Sequence, residues 1–184
     1  MEHKIVMAGF GGQGIMAIGQ LTTYAGMVEG KHVSWLPSYG PEMRGGTANC
    51  SVIISDEPVS APTVTASTSG IIMNAPSMDK FEPEALPGAK FFINSSLIEK
   101  KLTRDDIEGF YIPVNDIAAE IGNPKVANIV MLGAFLEETK VVSPETVLKV
   151  FTKVFGENKA KFIPMNQKAM AEGAAYVRQQ HVGV

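Results

Sequence analysis

Short apolar runs alternate with longer segments of helical periodicity along the chain. The apolar runs end at Gly, Pro, Asn or Asp and are typical of buried strands. They lie at residues 5–8, 32–36, 49–55, 70–74, 90–94 and 109–114. Helices are predicted at 12–27, 75–86, 117–121, 125–138, 144–155 and 162–180. The alternation predicts a three-layer α/β/α sandwich, Rossmann-like, with a largely parallel or mixed sheet, in a single domain of residues 1–184.

Several boundaries of these segments have a specific chemical basis. Pro37 is expected to end the second strand, because proline cannot donate to a central ladder. Pro87 and Gly88 are expected to end the helix that starts at residue 75. Ser143 can cap the helix that follows it. Gly133 leaves room for a close neighbour of its helix.

Composition and charge narrow the classes of function. The 184 residues have 45% hydrophobic content and a formal net charge of -3, so no basic surface for nucleic acid or an anionic membrane is expected. No apolar window is long enough to span a bilayer, which predicts a cytoplasmic protein. Because Cys50 is the single cysteine, the chain cannot form an internal disulfide or hold an iron-sulfur cluster by itself.

A glycine-rich turn follows the first strand and precedes the first helix. The spacing of Gly9, Gly11 and Gly14 fits the G-x-G-x-x-G pattern of dinucleotide-binding domains. Such domains place an acidic residue at the end of the second strand to hold the ribose, whereas this chain has residues 34–36, Ser-Trp-Leu. The pattern therefore leaves three interpretations open, namely a dinucleotide, another ligand, or backbone packing alone.

A second unusual segment follows the second strand, at residues 38–47. Gly and Pro pairs force an irregular backbone there, and the loop presents Tyr39, Glu42 and Arg44 before Gly45 and Gly46. These three side chains could supply an aromatic face, an acceptor and a fork of donors. The alternative is an ordinary surface loop with a local pair between Glu42 and Arg44.

The remaining reactive side chains do not assemble into a catalytic or metal site by spacing. His3, His32 and His181 are scattered, which does not favour a metal site. Cys50 lies in a predicted strand and is expected to be a buried structural thiol. The adjacent carboxylates at 105–106 and 137–138 are expected to be solvated surface charge. We therefore assign no catalytic residue and no metal ligand.

The two glycine-rich segments together resemble the gamma subunit of 2-oxoacid:ferredoxin oxidoreductases. The resemblance rests on Gly9, Gly11, Gly12, Gln13 and Gly14 after an N-terminal strand, and on Tyr39, Gly40, Pro41, Glu42, Arg44, Gly45 and Gly46. It extends through residues 74–76 and 128–134 and covers essentially the whole chain. Members of this family oxidatively decarboxylate a 2-oxoacid, form an acyl-CoA and pass electrons to ferredoxin.

The resemblance also implies cofactors and partners. Thiamine diphosphate, magnesium and the iron-sulfur clusters are expected in the alpha, beta and, where separate, delta ferredoxin-like subunits, so this chain is expected to be inactive alone. Gly9, Gly11, Gly12, Gln13, Gly14, Tyr39 and Arg44 are expected at a subunit junction that contacts coenzyme A, with Glu42, Gly45 and Gly46 beside them. The alternatives are a stand-alone nucleotide-binding protein, a purely structural subunit, and a gamma-type subunit of indolepyruvate oxidoreductase. Without partners, the chain is expected to form a homodimer or a larger species.

Overall fold

The computed structural model describes residues 1–38 and 47–182. The strands are β1 (Glu2–Phe10), β2 (His32–Ser38), β3 (Thr47–Ser55), β4 (Ser67–Ile72), β5 (Ala85–Asn94) and β6 (Glu108–Ile112). The helices are α1 (Ile15–Val28), α2 (Ala75–Phe81), α3 (Val114–Ile121), α4 (Ala127–Thr139), α5 (Pro144–Phe155) and α6 (Ile163–Val182). Short 3-10 helices at Pro124–Val126 and Glu157–Phe162 lead into α4 and α6. Among these helices, none combines the length and the apolar character that crossing a bilayer requires.

The strands form one mixed sheet in the order β2-β3-β1-β4-β5-β6. β1, β4, β5 and β6 run parallel to one another, whereas β3 is antiparallel to both β1 and β2. The predicted α/β/α class is therefore confirmed, with the sheet in its mixed form. The antiparallel β3 separates β1 from β2, so the second strand along the chain lies at the edge of the sheet.

The sheet is covered differently on its two faces. Alternate side chains of one strand point to opposite faces, so Ile5 and Met7 join one cluster while Val6 and Ala8 join another. The first cluster packs against α1, α3, α4, α5 and α6 and defines the helix-rich face. The second packs against α2 and the connection at residues 95–107 and defines the loop-covered face.

Two predicted boundaries were wrong. β2 continues through Pro37, which lies opposite Cys50, to Ser38. Proline is tolerated there because β2 is an edge strand and no further strand needs its missing N–H. The helix that begins at residue 75 ends at Phe81, and the segment with Leu86 is the start of β5.

Two helix features match their predictions. Ser143 Oγ accepts a hydrogen bond from the Thr146 N–H at 3.1 Å and so caps α5. A Cβ at Gly133 would overlap the backbone of Met170, so α4 and α6 pack in direct backbone contact. This contact fixes the end of the helix-rich layer that lies over β5 and β6.

Candidate ligand-binding site at the glycine turn

The glycine turn, residues 9–14, lies at the carboxyl ends of the parallel strands. Gly9 and Phe10 are the last residues of β1, and α1 begins at Ile15 directly after the turn. Ligands of open α/β sheets bind outside the carboxyl ends of the strands. The turn therefore occupies the position that this architecture uses for binding.

Gln13 ties the turn to the neighbouring strand end. Its Oε1 accepts a hydrogen bond from the Phe10 N–H at 2.6 Å, and its Nε2 donates to the Met73 carbonyl at 3.2 Å. Met73 follows β4, so one carboxamide links the ends of two parallel strands. Gln13 thus positions the turn, and its polar atoms are already engaged within the fold.

Asn128 holds the other side of the turn. Its Nδ2 donates to the Gly14 carbonyl at 3.2 Å from the first turn of α4. Gly14 has a φ of 75°, and a Cβ there would lie 2.9 Å from Asn128 Cγ. Gly12 has a φ of 91°, which also favours glycine. Reasoning from the glycine motif alone missed Asn128, although residues 128–134 are part of the family resemblance.

The turn borders a small pocket of about 260 Å³. Its lining residues are Phe10, Gly11, Gly12, Gly14, Ile15, Met16, Ala17 and Ala48. At the start of α1, Gly14 supplies no capping side chain and the first turn has no acidic residue. The first N–H groups of the helix and the positive end of its dipole are therefore available to an anion.

Uncharged carboxamides continue this edge of the sheet beyond the turn. Asn74 follows β4, and its Oδ1 accepts from the Ser77 N–H at 3.1 Å. Asn94 ends β5, and its Nδ2 donates to Asn115 Oδ1 at 2.7 Å. Both Asn74 and Asn94 are buried. They close the strand ends by hydrogen bonds without placing a negative charge beside the turn.

The structure brings together one of the two predicted segments. Gly9, Gly11, Gly12, Gln13 and Gly14 form the turn described above. Tyr39, Glu42, Arg44, Gly45 and Gly46 lie outside the described residues, and their site roles stay predictions. Strand β3 begins at Thr47, which lies opposite Phe10 in the sheet, so the chain re-enters the described fold beside the glycine turn.

Cys50 and the histidines are not among the described residues that line the pocket at the glycine turn. Cys50 is fully buried, as predicted, and burial raises the pKa of its thiol to about 12. Burial also lowers the pKa of His3. Across residues 1–38 and 47–182, no three His, Cys, Asp or Glu side chains are arranged to hold a metal ion.

The carboxylates of α4 do not behave as predicted. Glu137 pairs with Arg178 at 3.2 Å, and Glu138 pairs with His181 and with Lys90 at 3.7 Å. Both side chains are largely shielded from solvent, so the prediction of fully solvated charge was wrong for them. These three partners lie on α6 and β5, which places both charges between elements of the fold.

The family model described as pyruvate ferredoxin/flavodoxin oxidoreductase matches residues 4–176. The chain belongs to this family. The resemblance found from the two glycine-rich segments is thereby confirmed. Ketoisovalerate oxidoreductase subunit VorA of Methanothermobacter thermautotrophicus is 33% identical over 182 residues, which are 99% of this chain and 38% of that relative. The chain therefore spans well under half of the length of this relative.

Two solved structures have the same fold as the present chain. The gamma subunit of a keto/oxoacid ferredoxin oxidoreductase from Geobacter sulfurreducens has a TM-score of 0.81 and 28% identity, covering 96% of this chain and 99% of that one. The 2-oxoglutarate:ferredoxin oxidoreductase from Magnetococcus marinus, with 2-oxoglutarate, coenzyme A and succinyl-CoA bound, has a TM-score of 0.87 and 24% identity. The match covers 97% of this chain and 31% of that chain.

The topology of this family member also argues against a conventional dinucleotide grip. Dinucleotide-binding domains place the ribose-binding acid at the end of the strand beside β1. Here β3 occupies that position and runs antiparallel to β1, while β2 lies one strand further out. The strand beside the glycine turn is therefore an antiparallel one, whereas a dinucleotide site needs a parallel strand there.

Proposed function

We propose that this chain is the gamma-type unit of a 2-oxoacid:ferredoxin oxidoreductase. The complete enzyme would oxidatively decarboxylate a 2-oxoacid, transfer the acyl group to coenzyme A and reduce ferredoxin. Membership of the family supports this proposal, as does the similarity to a solved gamma subunit that the chain covers almost completely. The chain would act within the complex and not as a separate catalyst.

The redox and decarboxylation cofactors do not fit this chain. A single buried cysteine cannot ligate an iron-sulfur cluster. No cluster of acidic or metal-ligating side chains in the described parts of the chain suits magnesium and a diphosphate. We therefore place thiamine diphosphate, magnesium and the clusters on the alpha, beta and delta-type partners.

Within the complex, the pocket at the glycine turn would receive an anionic part of coenzyme A. The observation that carries this step is the uncapped start of α1, which opens onto the pocket of about 260 Å³. A phosphate group there would accept hydrogen bonds from backbone N–H groups, and glycines at positions 11 and 12 present no side chain to block it. The chain would thereby orient coenzyme A toward a reaction centre on its partners.

The 2-oxoacid itself would be selected by the partners. The relatives named above act on ketoisovalerate and on 2-oxoglutarate, which differ in charge and size. The pocket at the turn is lined by glycines and apolar side chains and contains no cationic side chain among the described residues. The described part of this lining therefore offers no group that would distinguish a dicarboxylate from an apolar acid.

A charge placed at the rim of this pocket tests the coenzyme A contact. Phe10 lines the pocket and is 38% exposed, so Phe10→Glu would repel a phosphate at little structural cost. Leu86→Glu is the matched control, because Leu86 is 40% exposed and lies at the opposite end of the sheet. In the reconstituted complex, we expect the KM for coenzyme A to rise by about tenfold for Phe10→Glu. The KM for the 2-oxoacid should not change, nor should either constant change for Leu86→Glu.

Other outcomes separate the rival functions. In one outcome, the Phe10→Glu and Arg44→Ala complexes both have a normal subunit composition and an unchanged KM for coenzyme A. That result would favour the hypothesis of a purely structural subunit without ligand contact. Micromolar binding of NAD, NADP or FAD to the isolated chain would favour a stand-alone nucleotide-binding protein. Retention of activity with aryl pyruvates alone would assign the complex to the indolepyruvate type.

We also infer that the isolated chain self-associates. Its exposed large apolar side chains include Phe10, Met27, Val28 and Leu36, which partner subunits would cover in the complex. Scattering from the isolated chain should give the mass of a dimer or a larger species. A monomeric mass at all concentrations would contradict this inference.

A further inference from the structure

A second and larger cleft lies behind the glycine turn, between α1, the start of α4, α5 and the start of α6. We call it the α5/α6 cleft, and its volume of about 490 Å³ is in the range of small-molecule sites. Most of its wall is apolar, with aromatic rings from Phe151, Phe155 and Phe162 and the side chain of Met165. Such walls suit a ring or a branched hydrocarbon.

One carboxamide in this cleft has no partner within the described fold. Asn166 is 7% exposed and lines the cleft, yet its side chain makes no hydrogen bond with residues 1–38 or 47–182. The other two asparagines of the cleft are already used. Asn123 Oδ1 accepts from the Lys125 N–H at 3.0 Å, and Asn128 donates to Gly14. Within the described residues, the carboxamide of Asn166 is not among the unpartnered polar atoms that are sealed from solvent, so it opens onto the cleft and can hydrogen-bond to a polar group on a bound molecule.

The charged side chains around the cleft indicate the sign of the charge that a bound molecule would carry. Lys125 and Lys159 both line it, and neither takes part in the ion pairs found among the described residues. Residues 149–168 carry further lysines and one acidic residue, Glu157. In a chain of formal net charge -3, this local excess of positive charge favours an anion.

We propose that the α5/α6 cleft binds a small molecule with an aryl or branched-alkyl body and one anionic group. The body packs on the aromatic wall, the anion lies near Lys125 and Lys159, and Asn166 hydrogen-bonds to a polar atom between them. This proposal does not depend on the oxidoreductase function proposed above, since it concerns a different pocket and needs no partner subunit.

The test uses the full chain and the probe 8-anilinonaphthalene-1-sulfonate, which has an aromatic body and one sulfonate. We expect fluorescence titration to give one saturable site and the neutral analogue N-phenyl-1-naphthylamine to bind more weakly. Lys159→Met should weaken the sulfonate probe by about threefold to fivefold, the effect of one exposed charge. Asn166→Leu should weaken it by about threefold to tenfold, the effect of one hydrogen bond. Lys168→Met is the matched control, because Lys168 is exposed on α6 outside the cleft.

Amide chemical shifts locate the probe independently of affinity. The shifts expected on titration lie at residues 125–129 and 162–166, and Asn166→Leu should remain folded by its own spectrum. Equal affinity for the charged and neutral probes would overturn the proposal. So would equal effects of Lys159→Met and Lys168→Met, or shifts confined to the groove around Tyr24 and Trp35. Failure of this test would leave the coenzyme A measurements at the glycine turn unaffected.

Discussion

The two faces of the sheet are held by different kinds of interaction. On the helix-rich face, Phe92 stacks on Phe110 with ring centroids 4.8 Å apart and meets Phe135 edge-on at 5.3 Å. The helices above them pack backbone to backbone at Gly133 and Gly173. This face is stabilised by apolar burial and close shape complementarity.

The loop-covered face has its own apolar cluster and adds to it one shielded carboxylate. Glu82 is 5% exposed, and its Oε1 accepts hydrogen bonds from Thr103 N–H at 2.5 Å, Thr103 Oγ1 at 2.8 Å and Arg104 N–H at 2.9 Å. Arg104 Nη1 in turn donates hydrogen bonds to the carbonyls of Glu82 and Ala85, at 2.9 and 2.7 Å. Helix α2 has only seven residues and is too short to cover this face alone. The connection at residues 95–107 covers the rest, and the hydrogen bonds of Glu82 hold this connection in place.

The largest effect is expected from Gly133→Ala on the helix-rich face. Its Cβ would overlap the carbonyl oxygen and Cα of Met170, so α6 must move as a whole. We expect the free energy of unfolding to fall by about 2–4 kcal/mol in urea denaturation. Gly26→Ala is the control, since its Cβ would meet side-chain atoms of Val33 and Ile54 at 3.0 and 3.2 Å, which can shift. If the two variants are equally stable, backbone contact between α4 and α6 does not govern this face.

A smaller loss is expected from Glu82→Gln on the loop-covered face. The amide can still accept some of the hydrogen bonds, but they lose their charge assistance, so we expect a cost of about 1–2 kcal/mol. Hydrogen exchange should show the loss concentrated at Thr103 and Arg104. Glu84→Gln, at an exposed neighbouring position, should cost nothing measurable. A uniform loss of amide protection across the sheet would show that the network at Glu82 does not act locally on the connection.

The two faces also differ in how far the sequence predicts them. The helix-rich face follows from periodicity: the helix predicted at 144–155 is α5, and its Val147 and Phe151 are buried. Strand order was not predictable, because β3 enters between β1 and β2 through pairings such as Met7 with Cys50 that are distant in sequence. The network at Glu82 gives no periodic signal, and the helix predicted at 75–86 wrongly included Leu86 as one of its apolar residues.

The candidate site shows the same division. The glycine motif predicted the turn, since its spacing requires a tight backbone between strand and helix. Hydrogen bonds from Gln13 to Met73 and from Asn128 to Gly14 could not be inferred, because each joins residues brought together only by the fold. The α5/α6 cleft was missed for a similar reason, since its lining comes from separate helices.

Acid should remove part of the contribution of Glu82. Burial alone would raise the pKa of Glu82, but hydrogen bonds from Arg104 and Thr103 outweigh it and hold the pKa below the ordinary value of 4.5. A carboxylate with a lowered pKa in the folded state stabilises fully above its unfolded pKa and loses this contribution as the pH falls through the folded value. The difference in unfolding free energy between the wild type and Glu82→Gln should therefore shrink from about pH 5 downward. The free energy lost through protonation of Glu82 is only one part of the destabilisation caused by Glu82→Gln. We therefore expect the pH effect to be smaller than the effect of the substitution. A difference that stays constant to about pH 3 would contradict it.

The smallest effect is expected when the same chemical change is made on the helix-rich face. Glu137→Gln removes ion pairs with Arg178 at 3.2 Å and Lys140 at 3.3 Å, whose cationic side chains are well exposed. Exposed pairs contribute little after screening, so we expect a loss of about 0.5 kcal/mol or less, and less still in high salt. A loss as large as that of Glu82→Gln would mean that charge, and not packing, also holds α4 against α6. The comparison of the two Glu→Gln variants thus separates an exposed ion pair on a packed face from a shielded charge that fixes a connection.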